Sequence, residues 1–215
     1  MSQSHPGIGQ SSLSFERVVF FSDAVFAIVI TLLVLPLTAE IELPESTTDL
    51  AHHVMELWPK VVSFLVSFLV IGQFWIAHHR MFGAIAGYDT ALLWLNLICL
   101  LTVSFMPFPT ALLGAYPTDV DRLPVVLYAV SMTVTSLMLS ITWQYAIRRR
   151  LVVEGFGPAM RQEVTRRSLI TLGIFVLSIG AAFFGLLAAA LFWLVVLPLV
   201  RILLRSRRPS VVSAV

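Results

Sequence analysis

Apolar runs of membrane-spanning length recur from one end of this chain to the other, separated by short polar breaks. A run of about eighteen or more such residues can cross a bilayer core as a helix. The pattern predicts six spans, at about 17–37, 57–78, 90–113, 124–147, 168–184 and 187–204. Pro36 closes the first. The third ends in Met106-Pro107-Phe108-Pro109, where two prolines break or kink the helix end. Ser168 to Leu204 is almost wholly apolar. As one helix rising about 1.5 Å per residue it would overshoot a core of roughly 30 Å nearly twofold, so it is split at a turn near Gly185. The fold class is therefore all-α, a multi-pass membrane protein with six transmembrane helices. A membrane domain over 15–208 lies between a polar, small-residue tail at 1–14, expected to lack structure, and a short tail at 209–215.

Composition agrees and adds an orientation. The chain is 58% hydrophobic and 12% charged, against about 25% charged in a soluble domain. No soluble domain fits between the runs. Charge is distributed unevenly. Residues 38–56 carry Glu40, Glu42, Glu45, Asp49 and Glu56 with no basic residue, whereas the loop at 148–167 carries Arg148, Arg149, Arg150, Arg161, Arg166 and Arg167. Arg17, Arg80 and the tail arginines fall on the same side as that basic loop, and only Lys60 and Arg122 on the other. The excess of cations marks the cytoplasmic face, so both termini are cytoplasmic and the acidic loop is outside. Residues 1–14 hold no Lys or Arg and so make no standard cleaved signal peptide with the first span. The arginines flank spans, which argues against nucleic acid as a partner and for a lipid bilayer. The single cysteine, Cys99, excludes an intramolecular disulfide.

The most informative stretch is Arg17 to Pro36, RVVFFSDAVFAIVITLLVLP. Ionisable groups in a span are costly, roughly 2.5–3.5 kcal/mol near a helix centre, and persist when paired, hydrated or close to an interface. At 100° per residue Ile28, Leu32 and Leu35 form one stripe, with Thr31 at its edge and Ala24 before it, while Asp23 lies about 140° from Ile28. The helix is apolar all round, so periodicity leaves open which face packs and which does something else.

The order R-x-x-x-F-S-D, made by Arg17, Phe21, Ser22 and Asp23 ahead of AVFAIVITLLVLP, resembles the corresponding motif of the transmembrane protein 175 family. Length and hydrophobic layout extend the resemblance to most of the chain. It implies a potassium-permeable channel of the shorter, single-repeat kind found in prokaryotes, in the plasma membrane. It further implies four copies around one axis, a homotetramer, with the first helix lining the path. By position after the Asp, the resemblance assigns Ile28, Leu32 and Leu35 to the constriction and Thr31 to a hydroxyl beside it. A W-x-x-H-like end on the second span matches Trp75 and His78. One of His78 and His79 is then expected to join Arg17, Ser22 and Asp23 in a structural polar network, with the choice between them open. The filter sequence TVGYG is absent, so selectivity must come from something other than a ring of backbone carbonyls.

Two other readings compete. A small secondary transporter would use Asp23 as an ion or proton site, with broken helices and internal repeats that are not evident here. An accessory subunit would hold haem through His78 or His79. Adjacent histidines, here and at His52-His53, point to different sides of a helix and chelate poorly; useful spacing is i, i+4. No nucleophile with a base, phosphate loop or metal-binding spacing is visible, so no enzyme, cofactor or metal is expected.

Overall fold

The computed structural model describes residues 8–38, 52, 54–116, 121–196 and 199. Its elements are α1 (Ile8–Leu32), α2 (Leu35–Thr38), α3 (Trp58–Phe82), α4 (Thr90–Phe105), α5 (Pro107–Ala115), α6 (Leu123–Arg148), α7 (Pro158–Ala182) and α8 (Leu186–Leu191), the last running into a π-helical turn at Phe192–Val196. Proline stands in the first two positions of α3, α5, α6 and α7, where its missing N–H costs nothing and its φ is already helical. Five stretches among the described residues are long and apolar enough to cross a membrane: Phe15–Thr38, Trp58–Phe82, Thr90–Ala115, Leu123–Arg148 and Pro158–Ala182.

The third span is broken where the prolines stand. Met106 ends α4 and Pro107 opens α5, because a proline ring there displaces the carbonyl it would otherwise meet. The turn near Gly185 is also present, with φ 116°, a left-handed-side value that glycine adopts at little cost. Beyond it, the predicted sixth span is described only as α8 and the π-helical turn. Its remainder, the 209–215 tail and most of the acidic 38–56 loop lie outside the described residues.

Three expectations need correction. Helix α3 does not end at 78 but carries His79 and Arg80 as helical residues to Phe82, because nothing breaks it before Gly83. Residues 158–167 are not loop. They form the first turns of α7, started by Pro158 and supported by Glu163, which accepts from Arg166 Nη2 and Arg167 Nε at 2.6 Å each. Such i,i+3 and i,i+4 pairs let a polar stretch remain helical. Helix α1 begins at Ile8, inside the segment expected to lack structure.

Helix α6 is the most buried span and packs most extensively on α7, then on α4. Its hydroxyls mostly bond back to their own helix: Ser131 to the Leu127 carbonyl, Thr135 to Ser131 and Thr142 to Met138, at 2.8–3.0 Å. Ser140 also reaches across to Ser168 at 2.7 Å, and Tyr128 to Ser67 on α3 at 2.8 Å. Helix α5 approaches α3 closely at Gly114, where a Cβ would stand 3.0 Å from the Lys60 Cα and 2.6 Å from the Ser63 hydroxyl.

The connections after α3 and α6 are tied together at one end of the bundle. Ala86 N–H donates to the Leu151 carbonyl (2.8 Å) and Val153 N–H to the Ala84 carbonyl (3.0 Å), around an isolated antiparallel bridge between Ile85 and Val152. Arg150, at φ 57°, closes α6, with Leu151 N–H on the Ala146 carbonyl at 2.9 Å. Asp89 fastens this end. Its Oδ1 caps α4 by accepting from the Leu92 N–H (2.8 Å), and its Oδ2 accepts from the Tyr145 hydroxyl (2.7 Å) and lies 3.7 Å from Arg149 Nε. The Leu92 amide first, then the Tyr145 hydroxyl, hold the Asp89 carboxyl below the usual carboxylate range. A depressed folded value means that the stabilisation is present above the unfolded carboxyl's pKa near 4 and is lost as pH falls through the folded value. Amide exchange at Leu92 and Leu151 should therefore quicken as pH falls below about 4 relative to α6 amides, and Asp89→Asn should abolish that difference. Equal acid sensitivity in both proteins would locate the effect elsewhere.

Candidate functional site

Helix α1 has two faces that its sequence does not distinguish. Ser22, Phe26, Val29 and Leu33 recur at i, i+4, i+7 and i+11, and all are buried against α3 and α4. Ala24, Ile28, Thr31, Leu32 and Leu35 are exposed and point away from the other described helices. The contrast is sharpest between neighbours: Ile28 is 58% exposed and Val29 is 2%. The exposed stripe crosses a turn at Leu33-Val34, since α1 ends at Leu32 and Leu35 opens α2. Thr31 spends its hydroxyl proton on the Ile28 carbonyl (2.7 Å), leaving its oxygen lone pairs on the exposed side. This is the most apolar span of the five, with mean hydropathy 2.7, yet it is among the least buried.

A buried polar chain anchors the other face. Asn96 on α4 donates from Nδ2 to the Ser22 hydroxyl oxygen (2.9 Å), and Ser22 donates to the Val18 carbonyl (2.9 Å). Asn96 Oδ1 stands 2.8 Å from His78 Nε2 on α3. An amide oxygen can only accept, so the histidine proton sits on Nε2. His78 is held between rings, stacked on Phe82 at 4.2 Å and tilted against Phe26 at 5.4 Å, and its buried Nδ1 has no hydrogen-bond partner among the described residues. A second link lies beside the first: Trp75 Nε1 donates to Asp23 Oδ1 at 2.8 Å. The His79 ring lies 5.6 Å from that of Trp75.

The structure thus divides the expected network of Arg17, Ser22, Asp23 and a histidine. Ser22 and His78 meet through Asn96, Asp23 meets Trp75, and His79 stays outside on the exposed side of α3. Arg17 is exposed and has no hydrogen bond or ion pair among the described residues. The division follows from helix geometry, because adjacent Ser22 and Asp23 diverge by about 100° and cannot address one partner. Asn96 is the residue that sequence reasoning did not select as a site, although a lone amide in an apolar run signals a partner within the bundle. Among the described residues no cluster of His, Cys, Asp and Glu has the makings of a metal site.

A bundle of long apolar helices, with one such helix held to its neighbours by buried polar bonds on one side and exposed on the other, defines a multi-pass membrane protein. Residues 17–107 match the family model described as endosomal/lysosomal potassium channel TMEM175. A Streptomyces collinus protein described as a potassium channel is 36% identical over 78% of this chain and 82% of its own length. A Chamaesiphon minutus protein described in the same way is 33% identical over 78% and 83%. The human relative, described as an endosomal/lysosomal proton channel, is 31% identical over 51% of this chain and 21% of its own. A crystal structure of a Chamaesiphon minutus homolog, described as a lysosomal potassium-selective channel TMEM175 homolog, superposes with TM-score 0.74 at 29% identity, over 91% of this chain and 99% of that one. The chain belongs to the TMEM175 family. Its bacterial relatives are described as potassium channels, not enzymes, and with five apolar spans among its described residues it is a multi-pass protein of the cell membrane.

Proposed function

We propose that the protein is a subunit of a potassium-permeable channel in which four copies surround a path lined by α1. The observation that carries this reading is the face of α1 bearing Ala24, Ile28, Thr31, Leu32 and Leu35, which none of the described helices covers. The potassium-channel descriptions of its bacterial relatives support the ion. Ile28, Leu32 and Leu35 then form successive apolar rings, with Thr31 offering a hydroxyl oxygen between them. Such rings hold no ligand for a dehydrated ion, so conduction depends on widening and wetting. Discrimination between monovalent cations is weak and follows how firmly each keeps its water. The Ser22–Asn96–His78 chain and the Asp23–Trp75 bond fix the rotation of α1, so that this face and no other meets the axis.

The test is thiol access in planar bilayers. Ile28→Cys should carry potassium current that a water-soluble thiol reagent blocks, whereas Val29→Cys, buried against α3 and α4, should be indifferent to it. Uphill flux of one ion driven by another, without unitary currents and without block at Ile28→Cys, would instead support the transporter reading with Asp23 as its ion or proton site.

A further inference from the structure

A cavity of about 330 Å³ lies between α3, α6 and α7, at the arginine-rich end of the bundle. It is away from the exposed face of α1 and no part of the proposed conduction path. Its wall is apolar, with Phe74 and Trp143 at the back and Ala77 at the side. Two cations stand on it, Arg80 of α3 and Arg167 of α7, and no acidic residue lines it among the described residues. Arg80 is exposed and makes no ion pair among the described residues. Arg167 gives its Nε to Glu163 at 2.6 Å, a carboxylate it shares with Arg166, while its own Nη2 is buried without any hydrogen-bond partner among the described residues. A buried guanidinium N–H left unpaired is costly, and an anion is the group that satisfies it best.

We infer that this cavity binds an anionic phospholipid of the cytoplasmic leaflet, its phosphate between Arg80 and Arg167 and the start of an acyl chain against Phe74, Ala77 and Trp143. A membrane lipid fits better than a free anion for two reasons. The cavity opens beside Ala77, an exposed residue of a membrane-spanning helix, so its mouth faces the bilayer side. Its apolar wall would gain nothing from a bare phosphate. Basic pockets between spans at the cytoplasmic face suit anionic headgroups in general, and the volume lies at the small end of ligand sites, enough for a headgroup and part of one chain.

The experiment is native mass spectrometry of the detergent-purified protein, titrated with phosphatidylglycerol or with phosphatidylcholine of the same chains. Retained phosphatidylglycerol should saturate at one per subunit, and phosphatidylcholine should be at least about tenfold weaker, as expected when a charge-assisted contact is lost. Arg80→Gln and Arg167→Gln should each weaken phosphatidylglycerol by about tenfold. Ala77→Phe leaves both charges in place and fills the apolar part, so it should also reduce retention. Arg148→Gln, on the same face but off the cavity, should not. Arg80 is exposed, so its variant keeps the test independent of any folding defect at Arg167.

Equal loss in Arg148→Gln would reduce the effect to diffuse surface charge and overturn the site. Displacement by millimolar glycerol phosphate with no effect of Ala77→Phe would make it a free-anion site and overturn the lipid. No retention, with Ala77→Cys crosslinking two copies, would make the cavity an interface between subunits and overturn the proposal entirely.

Discussion

Ile28→Asn should move the bi-ionic reversal potential toward sodium, lowering the potassium preference by about fivefold, which corresponds to roughly 1 kcal/mol of lost discrimination. On the proposed path, an amide in place of an apolar ring would keep water at the constriction, and sodium would then pass with more of its shell intact. Leu32→Asn and Leu35→Asn should act in the same direction but less. Val29→Asn is the contrasting neighbour. Its side chain is 2% exposed and packed against α3 and α4, so an unpaired amide there costs about 1–3 kcal/mol of stability. The expected result for Val29→Asn is low yield of folded protein with the selectivity of the remainder unchanged. Measuring both variants at matched protein amounts separates the two effects. If Val29→Asn shifts the reversal potential and Ile28→Asn does not, the face assigned to the path is the wrong one.

The second large effect belongs to Asn96, the residue that joins three helices. Asn96→Leu removes the acceptor of His78 Nε2 and leaves both ring nitrogens buried without partners, because Nδ1 already has none among the described residues. Ser22 keeps its bond to the Val18 carbonyl, so most of the loss falls on the histidine. A buried donor left unmade costs about 1–3 kcal/mol, and bonds between membrane helices fall toward the lower end of that range. The unfolding midpoint in detergent should fall by several degrees, and current per folded channel should fall with it as α1 loses its fixed rotation. His78→Leu combined with Asn96→Leu removes both polar groups together and should restore much of the stability that either change alone removes. Additive losses in the double variant would mean that the bond is not what these residues contribute.

Much of this arrangement is legible along the chain. The spans are so because transferring about twenty apolar residues into lipid is favourable whatever their neighbours do. The break at Met106-Pro107 and the turn at Gly185 are equally local, set by a missing N–H and a positive φ. The gathering of arginines at one end also follows from order alone, once the spans alternate in direction. The first turns of α7 were less legible. Hydropathy registers the arginines of 158–167 but not the Glu163 pairs that keep them helical.

The tertiary structure decided the rest. Helix α1 is apolar on every side, so no periodicity separates Ile28 from Val29; only packing against α3 and α4 buries one and leaves the other uncovered. His78 and His79 are chemically identical in sequence. They differ because the first turns inward to an amide oxygen on α4 and the second outward beside Trp75. The cavity between Arg80 and Arg167 joins residues far apart in the chain, and exists only because α3 and α7 lean on the same face of α6. Hydrophobic length is a property of a segment and can be read from it. The direction in which a side chain points, and the group it meets there, belong to the neighbour that the fold supplies.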